Sequence, residues 1–539
     1  MEVQMSYEVI QKVGIYQYIY LAEGYRNEHG QPRQRRRPIG KIDPVTGQKI
    51  YKPEYLEQIK DRDIQDPMQC VESEKLFSVE DIRKSSVRSY GAYYLYRKIS
   101  ERNGLIQALK DSLPDCWMEY FTLACYMIST GDPLMYCKDW LMDTESYPVG
   151  SLSSQRISEL LMSLPAEGRE SFYGNWYAAH EDKEYLALDI TSESSYSELI
   201  EDVEWGYNRD HEQLPQINLC MMMGETSRLP IHQTVYAGSH KDVRTLTTSL
   251  SRFEAATGKH SATIVMDKGF FSTKNVNFLL GGKQGPAHNF LISMPFTSAF
   301  AKKQVESERK DIDCVENTIV VNGYPLRAVT KVRVWNKEHK VYTHIYYSAK
   351  KASGIREELY AKVSLLKQKA ISHPEKYIAD EECRKYLNIR KSEKQESGYT
   401  VSIRNDVLEK AMYTAGWVVL ISNDIADALQ AMCIYRDKDV VEKGFLRLKN
   451  SIDLGRLRVH SDQAMQGKLF VGFLASILMA EINKKMVEHD LYKNYTMREV
   501  INILSKLRVQ DINTRRILYP VTKEQRLIYE AFDLELPTV

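Results

Sequence analysis

The chain lacks the cysteine patterns that hold a zinc ion or a disulfide framework. Eight cysteines are scattered through 539 residues, with no C-x-x-C pair and no histidines at zinc spacing. Their absence excludes a zinc finger and a small secreted scaffold. Free thiols fit a protein in a reducing compartment. We therefore expect a cytoplasmic protein.

Segments that would target the chain to a membrane are also missing. The N-terminus has no basic stretch followed by an apolar run, and the longest strongly apolar stretch, Leu469 to Ala480, is short. A membrane-spanning helix needs about 20 apolar residues. The sequence predicts neither secretion nor membrane insertion.

The chain has almost no excess of charge of either sign. Its formal net charge is +1, so charge is informative only locally. The densest basic patch comprises Arg33, Arg35, Arg36 and Arg37. This pattern fits a solvated turn between two strands, and it fits equally a hairpin tip that contacts phosphate groups.

The length exceeds one ordinary core, and hydrophobic residues make up 43% of a composition typical of globular proteins. We predict one large catalytic domain with flanking and inserted modules. The predicted order is an N-terminal β-hairpin module (1–60), a helical DNA-end-binding domain (61–182), the first part of a catalytic core (183–296), a β-rich insertion with a helical segment (297–415), and the second part of the core with C-terminal helices (416–539).

The predicted core begins with three short apolar runs, YLALDI, INLCMMM and LPIHQTVY. A helical stretch, VRTLTTSLSRFEAAT, separates them from two more runs, ATIVMD and NFLISMPF. Three strands, a crossover helix and two strands are the order of a ribonuclease-H-like α/β fold. We therefore predict a mixed five-stranded sheet with flanking helices.

Two aspartates follow buried runs of this core. Asp189 ends LALD and Asp267 ends IVMD, so each is expected where a strand meets solvent, the place where α/β sheets bind ligands. Phosphoryl-transfer nucleases use such carboxylates to hold two divalent cations roughly 3.5–4 Å apart. Hard oxygen ligands favour Mg²⁺. Taken singly, each aspartate also fits a strand-end cap or a turn.

A third acidic residue lies in the segment AMCIYRDKDVVEKGFLRLKN. The spacing of Tyr435, Lys438, Glu442 and Lys449 predicts that all four share a narrow arc of one helix. An adjacent apolar stripe would pack on the sheet and leave the carboxylate flanked by an aromatic ring and two cations. A solvated helix face also mixes Glu and Lys, so this segment alone does not decide between the two interpretations.

These four residues resemble the Y-x-x-R-x-x-x-E-x-x-x-x-x-x-K signature of bacterial insertion-sequence transposases with a DDE catalytic triad. Lys438 stands where the family usually has Arg, which keeps the charge but loses bidentate phosphate geometry; Arg436 lies nearby. The segments DITSES, GSHKDVRTL, DKGFFS and GKIDPVTG are similar to one branch of the same group. The resemblance covers most of the chain.

The resemblance implies a ribonuclease-H-like core interrupted by a β-rich insertion. It implies that Asp189, Asp267 and Glu442 hold two Mg²⁺ ions, or Mn²⁺ in their place, and activate water and then the freed 3′-OH. The expected function is cleavage at the ends of an insertion sequence and strand transfer into target DNA by a cut-and-paste reaction. The expected partners are double-stranded DNA, at terminal inverted repeats and target, and a second copy of the chain in a homodimer.

In the best-understood relatives, the 3′-OH attacks the opposite strand to form a hairpin, and the signature residues hold phosphates there. Tyr435, Arg436, Lys438 and Lys449 are the corresponding candidates here. Trp335, beside the turn NKEHK, is a candidate to stack on an extruded base, or else it covers the apolar face of its own hairpin. The basic patch adds three further candidate DNA contacts, Arg35, Arg36 and Arg37.

The same residues bear on three other possible functions. An aspartyl-phosphate phosphatase places a second aspartate two residues after its nucleophile, and this chain has Thr191 there. A metal-dependent ribonuclease-H-like nuclease would use the same carboxylates, and a catalytically inactive, domesticated DNA-binding protein would keep the fold. Both alternatives stay open from the sequence.

Overall fold

The computed structural model describes residues 6–13, 16–26, 32–43, 49–60, 79–180, 184–259, 261–281, 287–392, 398–451 and 456–539. Contacts within the described part of the chain divide it into two compact units, Met1–Lys84 and Ser85–Val539. The predicted core, the insertion and the predicted helical domain from Ser85 onward belong to the second unit.

The first unit consists of β1 (Ser6–Val13), β2 (Tyr16–Arg26), β3 (Pro32–Ile42), β4 (Lys49–Tyr51), α1 (Pro53–Lys60) and α2 (Val79–Lys84). Its described strands form an antiparallel sheet in chain order. The prediction of a hairpin is therefore wrong in extent, because Lys49–Tyr51 returns to pair with Gly40–Ile42 and adds a further strand.

The four arginines of the basic patch lie inside β3, so both interpretations that placed them at a turn are wrong. Pairing with β2 continues through them, with Arg33 opposite Tyr25 and Arg37 opposite Leu21. All four side chains are exposed. Strand alternation puts Arg33, Arg35 and Arg37 on one face and Arg36 on the other. The patch is thus a basic strand.

The second unit contains strands β5 (Ser86–Ser89), β6 (Leu186–Ser194), β7 (Gln216–Gly224), β8 (Pro230–Ala237), β9 (Thr263–Met266), β10 (Asn289–Ser293), β11 (Thr318–Val321), β12 (Tyr324–Trp335), β13 (His339–Tyr347), β14 (Leu387–Lys391), β15 (Tyr399–Ile403), β16 (Trp417–Ser422), β17 (Arg508–Ile512) and β18 (Arg515–Leu518).

Its helices are α3 (Gly91–Arg102), α4 (Leu105–Ser112), α5 (Trp117–Thr130), α6 (Cys137–Met142), α7 (Ser154–Met162), α8 (Ala166–Ala179), α9 (Asp242–Thr257), α10 (Thr273–Leu279), α11 (Ala299–Glu308), α12 (Ala349–Ser372), α13 (Pro374–Tyr377), α14 (Glu381–Tyr386), α15 (Asn405–Tyr413), α16 (Ala428–Asp437), α17 (Asp439–Ser451), α18 (Asp462–Glu488), α19 (Met497–Ser505) and α20 (Lys523–Ala531). Short 3-10 helices cover Leu134–Tyr136, Lys268–Phe270 and Leu491–Lys493.

The predicted strand order of the core is confirmed. Strands β6, β7 and β8 form an antiparallel meander, α9 crosses over, and β9 and β10 pair in parallel on the other side of β6. Their spatial order is β10-β9-β6-β7-β8. Strand β7 and nearly all of β6 and β8 are buried, as expected for a central sheet covered on both faces. This burial is the reason why the strands are apolar runs in the sequence. The protein has a mixed α/β core.

The prediction of five strands is wrong, since the described part of this sheet has nine. Strand β16 pairs antiparallel with β10, and β13, β12 and β11 follow it outward. The insertion therefore extends the core sheet. An uncovered β10 would leave a row of unpaired backbone groups, and β16 satisfies them. Trp417 at the start of β16 is buried.

A single long helix joins the N-terminal helices to the sheet. Almost all of α18 is buried, and it packs against α5, α7 and β8. Its length and composition would allow it to cross a membrane, but its apolar window is 89% buried inside the protein. This burial identifies α18 as a core helix. A serine caps the start of α7, because Ser153 Oγ accepts a hydrogen bond from the Arg156 amide. Residues 61–78 of the predicted helical domain lie outside the described residues.

Candidate active site

The two aspartates lie side by side on neighbouring parallel strands. Leu188 of β6 is paired with Met266, the last residue of β9, so Asp189 and Asp267 are the next residues on each strand. Asp267 follows its strand as predicted. The prediction that Asp189 ends its strand is wrong, because β6 continues to Ser194 in pairing with β7. On the other edge of β6, the pairing with β9 ends at Leu188, and the next bridge along that edge joins Ser194 to Arg456.

The Asp189 carboxyl group is buried among charged groups. Its pKa is raised to about 6, mainly by burial and in smaller part by the negative charges of Asp267 and Glu442. The Ile190 amide, which donates to Oδ1 at 2.8 Å, and the Lys438 ammonium act in the opposite direction. The three predicted catalytic carboxylates therefore interact electrostatically. A perturbed pKa that has a specific charge cluster as part of its cause is common at functional sites.

Asp267 also caps the short helix that follows it. Its Oδ1 accepts a hydrogen bond from the Gly269 amide at 2.6 Å. This is the turn-forming role that the sequence allowed as an alternative. It uses one carboxylate oxygen and is compatible with a ligand role for the same side chain.

The prediction that the four signature residues share one helix is wrong. Tyr435 lies on α16 and Glu442 and Lys449 on α17, with Lys438 at the turn between them. The flanking Asp439 stabilises the positive N-terminal end of α17, whereas Asp437 at the C-terminal end of α16 opposes its dipole. This charge order favours starting a new helix here.

Lys438 nevertheless keeps the cluster together. Its Nζ lies 3.0 Å from Glu442 Oε1 and 5.7 Å from the centre of the Tyr435 ring. Burial lowers the pKa of Lys438, but the hydrogen bond and charge of Glu442, with the charge of Asp189, raise it above its usual value overall. Lys438 thus carries a positive charge that faces both carboxylates.

The neighbouring signature residues have protein partners. Burial raises the pKa of Tyr435, and its hydroxyl group has a hydrogen bond with Ser293 that acts against this. Arg436 Nη1 donates to the Val321 carbonyl at 3.1 Å. Lys449 forms an ion pair with Asp210 at 2.5 Å. Both lysines are thus paired with acids, and Asp210 comes from a distant loop that the sequence did not indicate.

Glu193 is a site residue that sequence reasoning missed. It lies four residues after Asp189 on β6 and therefore on the same face of the strand. Its side chain is buried, neither carboxylate oxygen has a hydrogen-bond partner among the residues that the structure describes, and burial raises its pKa to about 8. The segment DITSES contains it, and only the alternation along β6 could have indicated it.

Trp335 is buried at the end of β12. Its indole Nε1 donates to Asn277 Oδ1 at 2.7 Å, and its ring packs edge-on against Phe300 at 5.5 Å. The hairpin turn between β12 and β13 is where it was predicted. This packing favours the interpretation in which Trp335 covers an apolar face, and its stacking on DNA stays a prediction.

The candidate carboxylates are the groups that would hold a divalent cation. Within the described residues, no three His, Cys, Asp or Glu side chains converge closely enough to hold a metal ion. The two aspartates are adjacent, and their hard oxygens suit Mg²⁺. Glu442 is turned toward Lys438, but its side chain is 58% exposed and has room to rotate. The donor set therefore fits once the Lys438–Glu442 ion pair exchanges.

Comparison with known proteins identifies the family. The family model described as "Transposase DDE domain" matches residues 179–478, a range that includes Asp189, Asp267 and Glu442. No curated protein matches the chain. Among solved structures, the cryo-EM structure of a piggyBac transposase synaptic complex with hairpin DNA is similar at a TM-score of 0.33 and 9% identity, covering 76% of this chain and 70% of that chain. A likeness this distant adds nothing to the assignment of the site.

Proposed function

Because the chain belongs to the family of transposases with a DDE domain, we propose that it cleaves DNA at the ends of an insertion sequence and joins them to target DNA by a cut-and-paste reaction. The observation that best supports this proposal is the pairing of β6 with β9. It places Asp189 beside Asp267; Asp189 interacts electrostatically with Glu442 and Lys438 of the signature, and Asp267 with Tyr435.

The fold supports the same proposal. A three-stranded meander, a crossover helix and two parallel strands form the order β10-β9-β6-β7-β8. We interpret this part as a ribonuclease-H-like core that β16 and the strands of the insertion extend. The five-part division of the chain, with DNA-end binding by the helical segment, is part of the proposal.

In this mechanism Asp189, Asp267 and Glu442 would hold two Mg²⁺ ions, for which Mn²⁺ would substitute. Bound there, the ions would supply activation of the attacking hydroxyl and stabilisation of the leaving oxygen. Asp189, whose pKa is raised to about 6 by burial, is largely ionised at neutral pH and so able to act as a ligand. The Lys438 ammonium group would exchange its ion pair with Glu442 for one with a phosphate of the DNA. Glu442 would then be free to act as a metal ligand.

The remaining candidate residues would hold the DNA. Tyr435, Arg436, Lys438 and Lys449 are assigned to phosphates near the cleaved bond, and Trp335 keeps its proposed contact with the distorted end. The exposed arginines of β3, Arg35, Arg36 and Arg37, would contact the backbone farther along. A homodimer in the cytoplasm would bring two ends together.

One experiment separates the candidate functions. Purified full-length protein is incubated with a DNA fragment that carries the terminal repeat, with Mg²⁺ or with a chelator. Metal-dependent cleavage followed by strand transfer supports the transposase. Cleavage without strand transfer indicates a plain nuclease, and end binding without cleavage indicates an inactive DNA-binding protein.

We expect Lys438→Gln and Lys449→Gln each to lower the slope of log affinity against log salt concentration by about one unit, because each lysine would neutralise one phosphate. Lys438→Arg should preserve or improve end processing, since a guanidinium binds one phosphate through two hydrogen bonds. Filter binding or fluorescence anisotropy over a salt series measures the slope.

Lys523→Gln, an exposed lysine of α20, serves as the control and should leave the slope unchanged. If Lys438 and Lys449 only pair with Glu442 and Asp210, both substitutions shift thermal stability slightly and leave the salt slope and the yield of hairpin ends as in the wild type. That result would remove them from the DNA contacts.

A further inference from the structure

A charged pocket of about 760 Å³ borders the candidate active site. The turn after β7, the turn between β11 and β12, the first turn of α12 and the junction of α16 with α17 all line it. We call it the basic pocket and define it by Arg228, Lys351, Arg436, Lys438 and Lys443. It lies outside the carboxylate cluster, yet Lys438 belongs to both.

Three of these cations have no carboxylate partner. The side chains of Arg228, Lys351 and Lys443 are exposed, and none of them forms an ion pair within the described part of the chain. Lys438 pairs with Glu442, and Arg436 donates to a backbone carbonyl. Cations drawn together from separate elements repel one another unless an anion lies between them. The charge of these side chains therefore favours binding of an anion in the pocket.

Carboxylates in the same pocket restrict which anion fits. Glu225 and Asp437 are hydrogen-bonded to each other, and Asp439 is close by. Burial, then the charge of Asp437, raise the pKa of Glu225 to about 7, so that it is partly protonated at neutral pH. The pocket thus has a modest positive excess. A phosphodiester, with one negative charge per unit, matches this excess better than a free triphosphate, which the carboxylates would repel.

An exposed aromatic ring adjoins the basic pocket. A second pocket, of about 500 Å³, shares Lys351 and Arg436 with the first and is lined also by Tyr324 and Lys350. The Tyr324 side chain is 60% exposed, and Lys350 Nζ lies 5.6 Å from the centre of its ring. An exposed ring beside cations is the arrangement on which single-stranded nucleic acids stack a base.

We propose, resting on the function proposed above, that the basic pocket binds the phosphate backbone of the DNA strand adjoining the cleaved bond, with Arg228, Lys351 and Lys443 as phosphate contacts and Tyr324 as the stacking surface for an unpaired base of that strand. Tyr435 and Lys438 face the candidate active site and also line the pocket. A strand that reaches Asp189 and Asp267 therefore passes its neighbouring phosphates into the basic pocket.

The test measures DNA binding in a chelator, so that it does not depend on cleavage. Because backbone contacts are independent of sequence, a labelled duplex with a single-stranded end is a sufficient probe. Arg228→Gln, Lys351→Gln and Lys443→Gln should each weaken binding several-fold and lower the salt slope by about one unit. Glu225→Gln should change affinity in the opposite direction, strengthening binding, because it removes a negative charge from the pocket.

Lys369→Gln provides a matched control on the same helix as Lys351. Both lysines are exposed, and 18 residues of α12 separate them, a distance of about 27 Å along the helix axis. This variant should bind with wild-type affinity and slope. Tyr324→Ala should weaken binding of the probe with a single-stranded end and leave a blunt duplex unaffected, whereas Tyr324→Trp should retain both.

Two results would overturn the proposal. Wild-type affinity and slope in all three cation variants would show that the pocket does not contact DNA. Inorganic triphosphate could instead displace the labelled DNA from the wild type and from Lys369→Gln at concentrations that do not displace it from the Arg228, Lys351 and Lys443 variants. That result would assign the pocket to a free polyphosphate. Failure of the proposed function is distinguishable, because a protein that never cleaves would still show the expected binding changes.

Discussion

Asp189→Asn, Asp267→Asn and Glu442→Gln are each expected to lower the rates of cleavage and strand transfer by a factor on the order of 10³ or more. Each change removes one charge that would hold the metal ions with little change in volume. Metal ions held there would stabilise the transition state by several kcal/mol, and each 1.4 kcal/mol corresponds to about a factor of ten in rate. Cleavage of a labelled terminal-repeat fragment under single-turnover conditions measures the loss.

Folding and DNA-end binding should persist in these variants, which separates a catalytic role from a structural one. The pKa of Asp189 is raised by burial from 3.8 to about 6, so its ionised form destabilises the metal-free fold. This group therefore favours folding most below pH 3.8, and that contribution is lost as the pH rises through 6. Asp189→Asn should consequently raise the melting temperature at pH 8 and change it little at pH 4.

Added Mg²⁺ supplies the complementary measurement. Binding to the folded state should raise the melting temperature of the wild type, and the increase should shrink or vanish in Asp189→Asn. Near-normal turnover in any one of the three variants would exclude that residue from the site. A lower melting temperature of Asp189→Asn at pH 8 would instead indicate a structural aspartate.

His232→Leu is expected to make the protein more resistant to acid. His232 lies on β8, buried between Tyr173 and Phe253, and neither ring nitrogen has a hydrogen-bond partner within the described part of the chain. Burial, together with the charges of Arg169 and Arg252, lowers its pKa from 6.5 to about 3. The folded protein therefore keeps this ring neutral, whereas the unfolded chain takes up a proton below pH 6.5.

The sign of this linkage sets the pH window. A lowered pKa contributes stability that is present above pH 6.5 and is lost as the pH falls toward 3, to a total of about 5 kcal/mol. At pH 5 the wild type should be less stable than His232→Leu by about 2 kcal/mol. At pH 8 the two should be similar, because replacing unpaired polar atoms by an apolar group of similar size is nearly neutral.

Urea unfolding at several pH values between 4.5 and 8 measures the difference. His460→Leu, which changes an exposed histidine, should keep the pH dependence of the wild type. Parallel stability curves for wild type and His232→Leu would show that His232 does not govern acid unfolding.

The sequence by itself was sufficient to predict the strands of the core, their order along the chain, and the position of Asp267 after β9. These features depend on short-range patterns, since an apolar run of four to eight residues between turn signals predicts a buried strand wherever its partners lie. The signature spacing was likewise readable and pointed to a transposase with a DDE domain, the family whose model matches residues 179–478; the signature itself stays a prediction.

Only the tertiary structure decided how these elements meet. The break at Lys438, the pairing of Lys449 with Asp210, and the extension of the sheet from five strands to the nine described all depend on contacts between distant segments. The basic pocket has the same origin, because Arg228 and Lys351 come together only when β7 and α12 pack near the junction of α16 with α17. Local patterns specify which backbone forms. Burial, pairing of sheet edges and the balance of charge specify which side chains become neighbours, and those forces act across the whole folded chain.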